Sequence, residues 1–292
     1  MGSEIDQTTH IVVVKSRASG RLERLLSYQV RNLQEANKEP TFIEDKLASL
    51  KQRYPPSQHI VGYGMAGSIE NFMTLFPEFG NGLDTVAPYT EESELRRFLE
   101  SNNIPLTAKI EEALKIVRKV HQGQKRDDGT DYLNEHVFPV TVGVINYFLD
   151  EYLDEPDFER AVCTSLLHDV IETDPEMRTE VFHLFGNDLY LDIDALTKKE
   201  ADKSQGSRRE RERRKTPTYL RKISNASVYA QITKLVDREN NLECIGKTDS
   251  EDKKRSYFKE TSRHYIPFAK EISPSLHYRI AHLNQILGRE IL

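Results

Sequence analysis

Apolar residues recur at three- and four-residue intervals along most of the chain, the period of helices buried on one side. Ala108–His121 carries Ile110, Leu114, Val117 and Val120 on one stripe, and Leu95–Leu99 precedes it with the same spacing. Phe158–Glu172, with Asp157 in capping position, Val228–Ile245, Glu251–Ser262 and Pro274–Leu287 extend the pattern. Arg21–Gln34 places Leu22, Leu25, Leu26 and Leu33 in the same way, and Thr41-Phe42-Ile43-Glu44 has the form of a capping box. Strand-like runs are confined to Ile11–Lys15 and, more weakly, Gln58–Val61. Val137–Leu149 is rich in β-branched residues, but Pro139 suits a helix start and no partner strand is evident, so a helix is predicted. The fold class expected is mainly α, a helical bundle with a mostly helical N-terminal extension holding a short strand or two. Asn102-Asn103-Ile104-Pro105 is the best boundary, dividing an extension, 1–105, from a larger helical domain, 106–292.

At 292 residues, with 37% hydrophobic and 30% charged, the chain is long enough for a sizeable core and polar enough to be soluble. No apolar run approaches the roughly 20 residues of a membrane span. Met1–Asp6 lacks the features of a signal peptide, and Cys163 and Cys244 are too few for a disulfide framework, so a cytoplasmic location is expected. The 41 basic residues are outnumbered by 47 acidic ones, which argues against a general nucleic-acid binder. Charge is concentrated in Arg208, Arg209, Arg211, Arg213, Arg214 and Lys215, read as an exposed loop or helix, with reach to a substrate's phosphates as the functional alternative. Gly62-Tyr63-Gly64-Met65-Ala66-Gly67 matches G-x-G-x-x-G but lacks a βαβ context, so a flexible turn is expected there.

Candidate chemistry gathers elsewhere. Leu166-Leu167-His168-Asp169-Val170-Ile171-Glu172 puts an imidazole and a carboxylate side by side, with Glu172 four residues beyond His168 on the same helix face. Such a pair can converge on one metal ion beside an acid/base. His121-Gln122-Gly123-Gln124-Lys125-Arg126 makes a polar turn after a helix, and His136 follows shortly. His121 is expected to cap its helix. Lys234-Leu235-Val236-Asp237-Arg238-Glu239-Asn240-Asn241 sets Asp237 in an apolar helical run, where an unpaired carboxylate would be costly.

In order and approximate spacing, these segments, with Phe185-Gly186 and Leu196-Thr197-Lys198, resemble the HD-domain hydrolase module of the RelA/SpoT alarmone family, over roughly Thr107 to Leu287. The resemblance implies an HD-domain fold and a single divalent metal, Mn²⁺ or alternatively Fe²⁺ or another divalent ion, held by His136, His168, Asp169 and Asp237. Two imidazoles and two carboxylates without thiolates suit such an ion. It implies Arg126 against the guanine base, Asn241 at the sugar, and Glu172 and Asp174 as catalytic acids. The implied reaction takes guanosine tetra- or pentaphosphate to GDP or GTP and pyrophosphate.

The chain departs from the family in two places. The family has proline directly after the metal-binding histidine, whereas Val137 and Phe138 stand between His136 and Pro139, as a small insertion would place them. The family also has Glu-Asp where this chain reads Glu172-Thr173-Asp174, so either Thr173 replaces the aspartate or Asp174 has moved into the following turn. Another nucleotide substrate, an adenosine alarmone or NADPH, and a catalytically weakened nucleotide-binding regulator are the alternatives. Only 55 residues follow Asp237, so a hydrolase without a synthetase domain is expected. The N-terminal extension is left as a module for a protein partner or for homo-oligomer contacts.

Overall fold

The computed structural model describes residues 9–16, 22–29, 42–54, 57, 59–66, 91–151, 156–198, 208–245 and 250–291. Near the N-terminus, strands β1 (Thr9–Ser16), β2 (Leu22–Gln29) and β3 (His59–Ala66) form an antiparallel sheet in the order β2-β1-β3. Helix α1 (Phe42–Arg53) lies against it. Ile11, Val12, Val13 and Val14 are all fully buried, so the central strand is covered on both faces. Val12 and Val14 pack on Ile43, Leu50 and Tyr54.

Two expectations change here. Leu22–Gln29 is a strand, not part of a helix over Arg21–Gln34: Thr9 to Lys15 of β1 pair with Gln29 back to Leu22. A leucine spacing compatible with a helix was overridden by antiparallel pairing with the preceding strand. Gly62–Ala66 is likewise strand rather than turn, with Gly62 opposite Val13 and Gly64 opposite Ile11. The capping residue Thr41 lies outside the described residues.

Helix α2 (Glu92–Ser101) begins the helical body. After it, Asn103 takes a left-handed φ of 57° and turns the chain into α3 (Ala108–His121), capped by Thr107. Leu95, Phe98 and Leu99 nevertheless share one core with Ile110, Leu114 and Val117 of α3. A π-helical turn, Leu133–Val137, leads into α4 (Phe138–Asp150), with Pro139 in its first turn. Val142 and Ile145 of α4 enter that core, whereas Val140, Val144 and Phe148 enter a second one. A helix buried on every side can carry β-branched residues because packing outweighs their propensity.

Helix α5 (Phe158–Leu166) is capped by Asp157, whose side chain accepts from Arg160 N. The expected helix to Glu172 is interrupted: the chain turns through Leu167–Asp169 before the single turn α6 (Val170–Thr173). Helix α7 (Met177–Leu196) kinks at Gly186, whose φ of 81° a residue with a Cβ would resist. Helix α8 (Arg208–Ser224) contains the basic run, whose side chains through Lys215 lie outside the described residues. Then come α9 (Val228–Ile245), α10 (Glu251–Glu260), a second π-turn (Thr261–Tyr265), α11 (Ile266–Ile272) and α12 (Pro274–Ile291).

The N-terminal unit is fastened to the C-terminal end of α4. Lys46 Nζ donates to Leu149 O at 2.7 Å, and Arg53 donates to Asp150 Oδ1 at 2.7 Å and to the Asn146 side chain. Cations there also face the negative end of the helix dipole. Among the described residues, no helix is long and apolar enough to cross a membrane.

Candidate active site

Helix α9 has no exposed residue and is buried over most of its length, yet its buried residues include Lys234, Asp237, Arg238, Glu239 and Asn240. Buried polar groups need partners, and each of these has one. Lys234 Nζ meets Asp237 Oδ2 at 2.5 Å, Glu239 accepts from Arg279 at 2.7 Å, and Arg238 donates to Glu260 at 2.9 Å. Asn240 reaches across to His136. The helix that builds the core therefore also carries one wall of the site.

Opposite it, the break after α5 turns His168 inward. Its Nδ1 donates to Ser165 O at 2.7 Å. His136, on the π-turn, donates from Nδ1 to Asn240 Oδ1 at 2.8 Å. With both Nδ1 atoms serving oxygen acceptors, a neutral ring presents a lone pair at Nε2. The two Nε2 atoms lie 3.2 Å apart, and Asp169 Oδ2 lies 3.3 Å from that of His168 and 3.5 Å from that of His136. Ligand atoms of His136, His168 and Asp169 all fall within 4.8 Å of one another. Asp237 stands beside this trio, its Oδ1 3.5 Å from His136 Nε2.

Electron-rich atoms this close need a cation between them, and this donor set could hold a divalent metal ion. A proton is the simpler occupant: burial lowers the His168 pKa, but the adjoining Asp169 charge and its hydrogen bond outweigh that and bring it to about 9. For Asp169, burial acts upward and is outweighed by His168 and His136, which hold the carboxyl well below its ordinary value. Asp237 is also held low, burial being outweighed chiefly by Lys234.

The turn after α3 forms the neighbouring wall. Gly123 and Gly129, both at positive φ, allow a tight reversal in which Arg126 N donates to Thr130 O at 3.0 Å and Tyr132 N donates to Gln124 O at 3.1 Å. Arg126 donates to Asn241 Oδ1 at 3.1 Å and to Asn240 Oδ1 at 3.4 Å. A cleft of about 270 Å³ opens here, lined by Arg126, Tyr132, Asn241, Cys244, Lys253 and Tyr257 among others. A Lys253–Asp127 ion pair joins two of its lining residues. His121 does not act as a simple helix cap: it is 1% exposed, and its Nδ1 pairs with Gln124 Oε1 at 2.8 Å.

The two catalytic candidates separate. Glu172 is exposed on α6 and accepts from Lys198 N at 3.2 Å. Lys198 lies in the field of Glu172, Asp237 and Asp169, but the like charge of Lys234 is the leading influence and lowers its pKa. Lys198 and Lys234 approach the Tyr219 ring, 5.7 and 5.4 Å from its centroid. Asp174 instead accepts from Glu176 N at 3.1 Å, bracing the turn into α7.

Three participants escaped the sequence reading: Asn240, Lys234 and Tyr132, whose hydroxyl donates to Asp169 Oδ2. Their signal was indirect. A buried asparagine and a buried lysine each need a hydrogen-bond partner, which the sequence does not name.

No family model matches the chain. It is 32% identical over 169 residues to a GTP pyrophosphokinase of Myxococcus xanthus, covering 57% of this chain and 21% of that protein. It is 30% identical over 159 residues to the guanosine-3′,5′-bis(diphosphate) 3′-pyrophosphohydrolase of Haemophilus influenzae, covering 54% and 21%. With the bifunctional (p)ppGpp synthase/hydrolase SpoT of Escherichia coli, identity is 27% over 184 residues, 63% of this chain and 24% of that protein. The chain thus spans between a fifth and a quarter of the length of these curated relatives. A solved structure, described as a metazoan ortholog of SpoT that hydrolyzes ppGpp, matches with a TM-score of 0.50 and 22% identity, covering 64% of this chain and 98% of that one. That match carries the fold, and the sequence matches run to the same group of proteins. The chain resembles the RelA/SpoT-type HD-domain enzymes in sequence and shares the mainly helical fold of a SpoT ortholog.

Proposed function

We propose that the helical body is a metal-dependent hydrolase of the 3′-pyrophosphate of guanosine tetra- and pentaphosphate, releasing pyrophosphate with GDP or GTP. The observation that carries this reading is the convergence of His136, His168 and Asp169 beside the cleft that Arg126, Tyr132 and Asn241 line. The pyrophosphohydrolase named among the relatives supports the substrate. His136, His168, Asp169 and Asp237 would hold the ion, Mn²⁺ by preference. When bound, it supplies an acidified water and charge stabilisation at phosphorus.

The side chains account for the rest. Arg126 presents a flat cation to the base, and Asn241, next along the cleft, meets the sugar. Lys198 and Lys234 supply positive charge beside the carboxylates, where the substrate's phosphates would be received. Glu172 takes the proton from the attacking water as its oxygen adds to phosphorus. The bond from phosphorus to the 3′-oxygen breaks, that oxygen regains a proton, and pyrophosphate leaves.

Stacking by Arg126 tolerates any purine, which keeps an adenosine alarmone or NADPH as the second substrate reading. The deciding assay offers purified protein guanosine tetraphosphate, its adenosine counterpart and NADPH separately with Mn²⁺, with Asp169→Ala as control. Metal-dependent pyrophosphate release from the guanosine substrate supports the proposal. Nucleotide binding without turnover would make the protein a regulator instead.

A further inference from the structure

We propose that Tyr132 is a positioning residue for Asp169, and that His121 holds Tyr132 in place for that task. The Tyr132 hydroxyl donates to Asp169 Oδ2, the same oxygen that faces both histidine Nε2 atoms. A carboxylate can swing about its terminal torsion, and a donor fixed on one oxygen limits that freedom. The phenol is therefore placed to choose which lone pairs of Asp169 face the histidines.

Tyr132 is itself fixed from three directions. Its backbone N–H donates to Gln124 O at 3.1 Å, tying it to the turn that delivers Arg126. The His121 ring lies 5.0 Å from its ring at 34°, and His121 in turn bonds Gln124 Oε1. On the other side, the His136 ring is also 5.0 Å away, at 56°. His121 Nε2 is buried without a hydrogen-bond partner among the described residues, so the described hydrogen bond of the ring is that of Nδ1 to Gln124. That arrangement suits a ring kept as a wall for Tyr132.

The inference rests on the metal reading of the cluster, so the test separates the two. Mn²⁺ affinity is measured by paramagnetic resonance of free Mn²⁺ for the wild type, Asp169→Ala, Tyr132→Phe, His121→Leu and the double variant. Circular dichroism confirms that each is folded. Tyr132→Phe keeps the ring and its packing but removes the donor. Its Mn²⁺ affinity should fall by about 10–100-fold, the usual effect of removing a group that orients a ligand. His121→Leu should lower it less, and the double variant should be no weaker than Tyr132→Phe alone, as expected of residues acting in series. A wild type without Asp169-dependent Mn²⁺ binding overturns both readings. A wild type that binds, with Tyr132→Phe binding equally well, overturns only the positioning role.

Discussion

His136 Nε2 and His168 Nε2 lie 3.2 Å apart, while the opposite nitrogen of each ring bonds an oxygen of the protein's own framework. Neither ring can turn away from the other without breaking a buried hydrogen bond, at a cost of about 1–3 kcal/mol. The protein thus fixes a polar arrangement that is unfavourable on its own and becomes favourable around a cation.

That competition between proton and metal sets a pH dependence. In the metal-free protein, His168 has a folded pKa of about 9, because neighbouring carboxylate charge outweighs burial. An unfolded histidine titrates near ~6.5. The bound proton therefore contributes stability that is fully present below the unfolded value and is lost as pH rises through the folded one. In the proposed metal site Mn²⁺ displaces that proton, so the difference in melting temperature between Mn²⁺ and EDTA samples should widen as pH rises toward about 9 and level off above it. The limiting slope is about 1.4 kcal/mol per pH unit for one proton. A difference independent of pH would remove His168 from the ligand set.

Glu172 tests the division between binding and chemistry. It lies outside the metal trio and its described hydrogen bond is to Lys198 N. Glu172→Gln should leave Mn²⁺ affinity unchanged and lower kcat by roughly 10²–10⁴-fold, the usual contribution of proton transfer. Full activity in this variant would move that role to another group.

Gly143 on α4 should resist alanine. A helical glycine-to-alanine change ordinarily stabilises by up to about 1 kcal/mol. Here a Cβ would lie 2.6 Å from Val236 Cγ1, next to Asp237 on α9. Gly143→Ala should instead destabilise by about 1–3 kcal/mol, read by denaturant unfolding. It should also weaken Mn²⁺ binding, since α9 must give way where Asp237 is mounted.

Arg238 provides a sharper contrast between two cations. Its guanidinium lies 3.6 Å from the Tyr257 ring centroid and 4.0 Å from that of Tyr265, and it bonds Thr261 and Glu260. A lysine keeps the charge but loses the planar fork and much of the stacking. Arg238→Lys should cost about 2–3 kcal/mol in an unfolding titration, beyond the range of an exposed ion pair.

Much of this architecture was legible from the chain. Ala108–His121 and Val228–Ile245 emerge with the ends that their apolar periods indicate, and Asp157 caps the helix it precedes. Local chemistry sufficed there. It did not for Leu22–Gln29, whose conformation depends on pairing with β1 and whose leucines fit either period. Similarly, His136, His168 and Asp169 stand out as residue types, but Tyr132 and Asn240 matter through bonds to Asp169 and His136. Such bonds depend on tertiary geometry that no sequence interval encodes. The resemblance also left Asp174 open between the site and the next turn; its described bond is to Glu176 N.

The π-turn at Leu133–Val137 has one more consequence. A turn of this kind holds one residue more than an α-helical turn would. Removing Glu135 would let the helix close regularly, but it would also shorten the interval from Tyr132 to His136 from four residues to three and so change their relative orientation. The protein would then gain a smoother helix and lose the alignment of phenol, imidazole and carboxylate. Selection for stability alone would favour that deletion, whereas selection for activity would oppose it, and the wide turn marks where the two pull apart.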